Sequence, residues 1–134
     1  MDLHTIREEA AKLGCVVLPV RSSKIYPDDI IYIACFAVGI PPKSFFEKTR
    51  RETVVFARAL AFNIIVRENI MSPAFISTFY GLLDRTSVLY HVKILKDVFD
   101  DHKNTRLLKE WQRIAFLDFT SAFEEYKSNI LKLK

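Results

Sequence analysis

The chain has 134 residues, of which 50% are hydrophobic and 27% are charged, and its formal net charge is +4. This size and composition exclude a disordered chain and are typical of one globular domain, 1–134. The longest apolar run, Ile30–Ile40, is too short to cross a bilayer, and the charged start of the chain lacks the apolar stretch of a signal peptide. We therefore expect a cytoplasmic protein without membrane association.

The first segment, 1–27, is predicted to be a short helix and a linker. Apolar residues recur at helical spacing from Asp2 to about Lys12, and Gly14 is a typical helix end. One side of this helix is apolar and needs a covering surface.

The second predicted helix begins at Pro27 and ends near Gly39. Proline suits the first turn of a helix, and the acidic residues that follow it favour the positive end of the helix dipole. Pro41 and its neighbour prevent continuation, so the chain must turn there. We expect Phe45 and Phe46 to enter the core from this turn.

A local excess of positive charge follows the turn. It consists of Lys43, Lys48, Arg50, Arg51 and Arg58, and only Glu47 and Glu52 interrupt it. Such a patch is typical of a protein that binds a polyanion, although a solvated surface has the same composition. The next pattern, from Thr53 to about Glu68, is apolar on most faces and predicts the central buried helix.

The stretch Ser72–Lys96 predicts two helices joined by a tight turn. Ile76 and Phe79 recur at helical spacing, Gly81 tolerates a positive φ, and Asp84 is a good N-cap for a second helix. This is the plan of a helix-turn-helix. The apolar stripe of the second helix, expected to face the core, is Val88, Val92, Leu95 and Phe99.

Polar side chains occupy the rest of the second helix. Its first turn carries Asp84, Arg85, Thr86 and Ser87, and Tyr90 and Lys93 follow on outward faces. First-turn side chains of a helix in the major groove reach the base edges, so these are candidate DNA contacts. The alternative is a capped helix with an ordinary polar face, and for Asp84 we favour the cap.

The last segment, 103–134, predicts a long amphipathic helix from about Lys103 to Leu133. Its apolar positions at heptad-like spacing are Leu108, Trp111, Ala115, Phe119, Ala122, Tyr126 and Ile130. The N-terminal helix can cover part of this stripe. The distal half, near Tyr126 and Ile130, is expected to need a second copy of the chain or another protein.

Residues suited to catalysis or metal binding are sparse. The three glycines are isolated, so neither a P-loop nor a dinucleotide fingerprint can form. Asp100, Asp101 and His102 are adjacent, and three adjacent ligands rarely converge on one metal ion. Cys15 and Cys35 lie among apolar residues and are interpreted as small buried hydrophobes. We expect a non-enzymatic protein with no cofactor.

The region 28–100 resembles the DNA-binding C-terminal domain of the DnaA replication initiators. That family carries Gly-Gly-Arg-Asp-His-Thr-Thr-Val-hydrophobic-His at the turn, where this chain has GLLDRTSVLY from Gly81 to Tyr90. The similarity continues upstream in RRETVVFARALAFNIIVRENIMS, Arg50–Ser72, and in DDIIYIACFAVGIPPKSFF from Asp28. It implies an all-α domain with an initiator-like or Trp-repressor-like helix-turn-helix, extended by the last helix and lacking the ATPase module.

The resemblance also implies roles for the basic residues. Arg50 matches an arginine that enters the minor groove, and Lys48 and Arg51 lie along phosphates. Arg58 matches an arginine near the DNA backbone, but a buried ion pair with an acidic residue would satisfy it equally well.

Three family positions have changed. Leu83 replaces a base-contacting arginine, and Arg85 and Tyr90 replace histidines. We therefore predict a double-stranded DNA-binding, nucleoid-associated protein linked to replication or transcription, with a target other than the family's. The alternative is a helical protein-interaction module that keeps the fold without binding DNA.

Overall fold

The computed structural model describes residues 25–81 and 84–131, apart from the side chains of Arg85 and Leu131. The predicted N-terminal helix and Cys15 lie outside the described residues, as do Leu82 and Leu83 at the turn.

The described residues form helices and no strand. In chain order these are α1 (Pro27–Val38), α2 (Pro42–Phe45), α3 (Glu52–Arg67), α4 (Pro73–Tyr80), α5 (Arg85–Ile94), α6 (Lys96–Asp100), a 3₁₀ helix (His102–Leu107) and α7 (Glu110–Leu131). The predicted all-α class is confirmed. None of these helices is long and apolar enough to cross a membrane.

Local sequence signals set the ends of α1. Pro27 is its first residue, and Gly39 ends it with a φ of 86°, in the left-handed region that glycine adopts most readily. The Gly39 amide donates to the carbonyl oxygens of Cys35 and Phe36. Both predicted ends are confirmed, and Cys35 is a buried free thiol whose pKa burial raises to about 12.

Helix α3 is the centre of the fold. It is buried along most of its length and packs against α1, α2, α5 and α7. The prediction of a central buried helix is therefore confirmed. Phe45 enters the same core with 2% of its surface exposed, and Phe46 packs against it half-buried.

The last helix starts later than the sequence predicted. Instead of one helix from Lys103, residues 102–107 form the 3₁₀ helix, and α7 begins at Glu110. Asp101 and Leu108 are both extended and bracket the 3₁₀ helix, and the Asp101 carboxylate accepts a hydrogen bond from the Lys103 amide at 3.0 Å. These extended residues interrupt the helical backbone.

The apolar stripe of α7 is covered within the chain. Its buried residues are Ala115, Phe116, Phe119, Phe123, Tyr126 and Ile130, whereas Ala122 is exposed. The expectation that Tyr126 and Ile130 need a second copy is wrong, because α1 packs along α7. The Tyr126 hydroxyl donates to the Asp29 carboxylate at 2.5 Å, across 97 residues of sequence.

Candidate nucleic-acid interface

Helices α4 and α5 are each capped at the N-terminus by a side chain and pack against each other. The Ser72 hydroxyl accepts from the Phe75 amide at 3.1 Å, and the Asp84 carboxylate accepts from the Ser87 amide at 2.7 Å. Gly81 ends α4 with a φ of 66°. The predicted Asp84 cap is confirmed, and the Ser87 amide that it binds lowers the pKa of the Asp84 carboxyl.

Helix α5 presents one apolar face and one polar face. Val88, His91 and Leu95 are buried, with exposed fractions of 6% or less. The opposite face exposes Thr86, Tyr90 and Lys93, and Ser87 is half-buried. The Arg85 side chain is not among the described ones. The candidate DNA contacts whose side chains are described therefore lie on the face turned away from α3.

Polar side chains of α3 fix the far end of α5. The Asn63 side-chain Nδ2 donates to the Val92 main-chain oxygen at 2.8 Å, and Arg67 Nε donates to the Asn63 side-chain Oδ1. Arg67 also pairs with Asp100 at 2.5 Å. Asn63 is 1% exposed, so this network replaces water around a buried amide.

His91 completes the packing of α5 on α3. Its ring meets Phe62 and Tyr90 edge to face, and its Nδ1 lies 2.6 Å from the Ser87 carbonyl oxygen. Burial is the largest effect on its pKa, which is lowered, and the Arg58 charge lowers it further. The hydrogen bond to the Ser87 carbonyl oxygen opposes this lowering, and the net direction favours the neutral imidazole.

Residues 46–51, which we call the basic loop, connect α2 to α3. Lys48, Arg50 and Arg51 are all exposed there. Arg51 lies 3.7 Å from Glu47, a surface pair that leaves the guanidinium accessible. Glu52, the first residue of α3, is engaged by Lys109, which directly precedes α7, at 2.6 Å. Positive charge thus dominates the outer surface of the loop.

Arg58, one of the candidate DNA-binding residues, is buried and binds main-chain carbonyl oxygens. It is 4% exposed, and its guanidinium donates to the carbonyl oxygens of Phe45 at 2.9 Å, Thr49 at 3.3 Å and Glu47 at 2.5 Å. It does not form the alternative ion pair with an acidic residue in the described part of the chain. Desolvation lowers its pKa, and the carbonyl dipoles stabilise its charge.

One helix therefore supports both groups of candidate residues. Arg58 of α3 holds the basic loop, and Asn63, five positions later, holds α5. Sequence reasoning left the partner of Arg58 open between DNA and an acidic residue, and it did not single out Asn63. The signal for Asn63 was present, since a lone amide in an apolar helix requires a buried hydrogen-bond partner.

Within residues 25–81 and 84–131, no three His, Cys, Asp or Glu side chains form a group that could hold a metal ion. The described residues instead offer exposed cations on the basic loop, and a hydroxyl, a phenol and a cation on α5. When the chain is compared with models of protein families, with curated proteins and with solved structures, nothing matches it.

Proposed function

We propose that this chain is a non-enzymatic protein that binds double-stranded DNA through α5 and the basic loop. The proposal rests on the difference between the two faces of α5. Its apolar face is anchored to α3, while Thr86, Tyr90 and Lys93 remain exposed on the other side. A helix held at one face and polar at the other suits insertion into a major groove.

The basic loop supplies the second half of the proposed contact. Phosphate contacts set affinity and orientation, and base contacts set sequence preference. Lys48, Arg50 and Arg51 are exposed and suited to phosphates. The first turn of α5 supplies the candidate base contacts.

The resemblance to the DnaA initiators supports the same assignment. Its motif covers Gly81, which ends α4, and Asp84, which caps α5. We infer an initiator-like helix-turn-helix with a role in replication or its regulation. The changed residues Leu83, Arg85 and Tyr90 give it a different target sequence.

Selection of bound sequences from a random duplex pool tests this proposal, followed by anisotropy titrations over a range of salt concentrations. Arg50→Ala with Arg51→Ala is expected to weaken binding to all duplexes and to flatten the salt dependence by about one unit per lost phosphate contact. Ser87→Ala is expected to relax preference at one or two base pairs by about 1–3 kcal/mol.

Two matched variants on α7 serve as controls, Arg113→Ala for charge and Ser121→Ala for a hydroxyl, since both side chains are exposed. Neither is expected to change affinity or preference. No enrichment from the pool, together with no duplex binding at low salt, would contradict the proposal.

A protein-interaction module is the second candidate, favoured by apolar exposure around the start of α7. Leu107, Ile114 and Leu117 are 75%, 51% and 50% exposed. Exposed apolar side chains that form a continuous patch mark protein-interaction sites, and Ile114 and Leu117 are neighbours on one face of α7 because they lie three positions apart. To test this function, the three side chains are replaced by Ser. Absent duplex binding, together with a partner protein that co-purifies with the wild type and not with the variant, would favour it.

A further inference from the structure

Helix α4 carries two phenylalanines whose side chains are more exposed than buried. Phe75 is 53% exposed and Phe79 is 56% exposed, whereas Ile76 on the same helix is buried. Their rings stack, with centroids 5.9 Å apart and planes inclined by 27°. We call this pair the aromatic ledge.

The ledge is supported from behind by further rings. Tyr80 meets Phe79 edge to face with centroids 4.9 Å apart, and Phe46 lies 5.5 Å from Tyr80. The Tyr80 hydroxyl donates to the Asp28 carboxylate of α1 at 3.0 Å, which fixes the tyrosine. The exposed rings are therefore held in place on a rigid helix before any ligand arrives.

Positive charge adjoins the ledge. Phe46, which contacts Tyr80, is the first residue of the basic loop, and Lys48 follows two positions later. Two consecutive Cα spacings are less than about 8 Å, so the backbone of Lys48 lies close to that of Phe46, and Arg50 and Arg51 follow in the same loop. The nearby carboxylates are engaged, Glu47 with Arg51 and Asp28 with the Tyr80 hydroxyl.

We propose that the aromatic ledge and the basic loop together form a binding site for single-stranded nucleic acid, with unpaired bases stacked on Phe75 and Phe79 and phosphates neutralised by the loop. Exposed rings beside cations are the common design of single-strand binding surfaces, because every base offers a π-face and every nucleotide a negative charge. The site is separate from the proposed duplex contact of α5, although both use the basic loop.

A stable protein interface is the less favoured occupant. Two phenylalanines offer at most about 500 Å², whereas a standard interface takes about 800 Å² from each partner. The cations at the border also favour a polyanion over an apolar protein surface, since charged residues are depleted from interface centres.

The test is anisotropy of the full chain with a labelled oligo-dT of about 15 nucleotides and, separately, with a random duplex. Phe75→Ala with Phe79→Ala is expected to weaken oligo-dT binding about 10- to 100-fold and duplex binding less than about 3-fold. Leu117→Ala, an exposed apolar residue on α7, is the matched control and is expected to change neither affinity. Circular dichroism checks that every variant is folded.

A second pair of variants separates stacking from apolarity. Phe75→Trp is expected to retain oligo-dT binding and to show quenched tryptophan fluorescence when bases stack on the new ring. Phe79→Leu keeps an apolar side chain without a ring and is expected to lose most of the oligo-dT affinity that the Phe79 ring provides. The proposal is overturned if the wild-type chain fails to bind oligo-dT, if the double Ala variant binds it unchanged, or if single-strand and duplex affinity fall equally. It is also overturned if sedimentation shows a wild-type dimer that the double Ala variant converts to a monomer.

Discussion

The packing of α5 on α3 depends on the protonation state of the His91 imidazole. Its ring is 6% exposed and lies on α3 against Phe62. Burial and the Arg58 charge both lower its pKa from the ordinary value of 6.5. Above that value the ring is neutral in the folded and unfolded chains alike. Below it, the unfolded chain binds a proton that the folded chain does not, so the free energy of unfolding falls with pH until the folded pKa is reached.

We therefore expect wild-type protein to lose more stability than His91→Gln between about pH 7.5 and pH 5, because the variant lacks the group that titrates at neutral to mildly acidic pH. Urea unfolding midpoints at several pH values provide the measurement. His102→Gln, in which an exposed histidine is lost, is the matched control and is expected to follow the wild type. Identical pH profiles for wild type and His91→Gln would show that His91 is not the coupled group.

The surroundings of some side chains could be predicted from residue type, and those of others could not. Asp84 was predictable as a cap because capping depends on an oxygen one turn from a free amide. The partners of Arg58 were not, since a buried guanidinium needs acceptors and main-chain carbonyls are present at every position. The exposure of Phe79 was not predictable from the sequence either, because apolar side chains at helical spacing usually face a core.

The basic loop has no regular structure of its own and depends on α3 for its shape. Arg58 donates to the carbonyl oxygens of Glu47 and Thr49 in the loop and to that of Phe45 directly before it. Arg58→Met keeps the bulk of the side chain and leaves these acceptors without their donor. We expect a loss of about 1–3 kcal/mol in the free energy of unfolding and faster amide exchange in residues 46–51.

If the loop binds phosphates, the same variant also weakens duplex binding and flattens its salt dependence, although Arg58 itself is too buried to touch DNA. Arg58→Lys restores the charge but not the planar fork, so only partial recovery is expected. Arg113→Met on exposed α7 is the control. Wild-type salt dependence and loop exchange in Arg58→Met would refute the positioning role.

Helix ends were predictable where the signal was local, and helix breaks were not. Proline and glycine mark both ends of α1, and Ser72 marks the start of α4. The interruption before Glu110 has neither residue, and the apolar pattern continues through it. There the tertiary packing overrides the periodicity, which sequence alone does not specify.

At the scale of the whole molecule, α7 is part of the core. Phe119 has no exposed surface and contacts Phe99 and Phe123. Phe119→Ala is expected to cost about 3–5 kcal/mol in the free energy of unfolding through lost burial and the cavity that remains. Leu117→Ala on the half-exposed side is the control, with an expected change below about 0.5 kcal/mol.

Because α7 is covered within one chain, we expect the urea midpoint of the wild type to be independent of protein concentration. A midpoint that rises with concentration would show that a second copy contributes to the cover. The covering helix was not predictable, since an apolar stripe shows that a partner surface exists without identifying it.

The hydrogen bonds that Tyr126 makes with Asp29 and with the Tyr26 amide join parts of the chain that the ribosome produces almost 100 residues apart. Contacts of such long sequence separation form late in folding, and these cannot form at all until α7 has emerged from the exit tunnel. During synthesis, the apolar sides of α1 and α3 that pack against α7 are therefore exposed. Exposed apolar surface of this kind is what chaperones bind on nascent chains. The packing of α7 on α1 is therefore completed only after the end of α7, at Leu131, has left the tunnel.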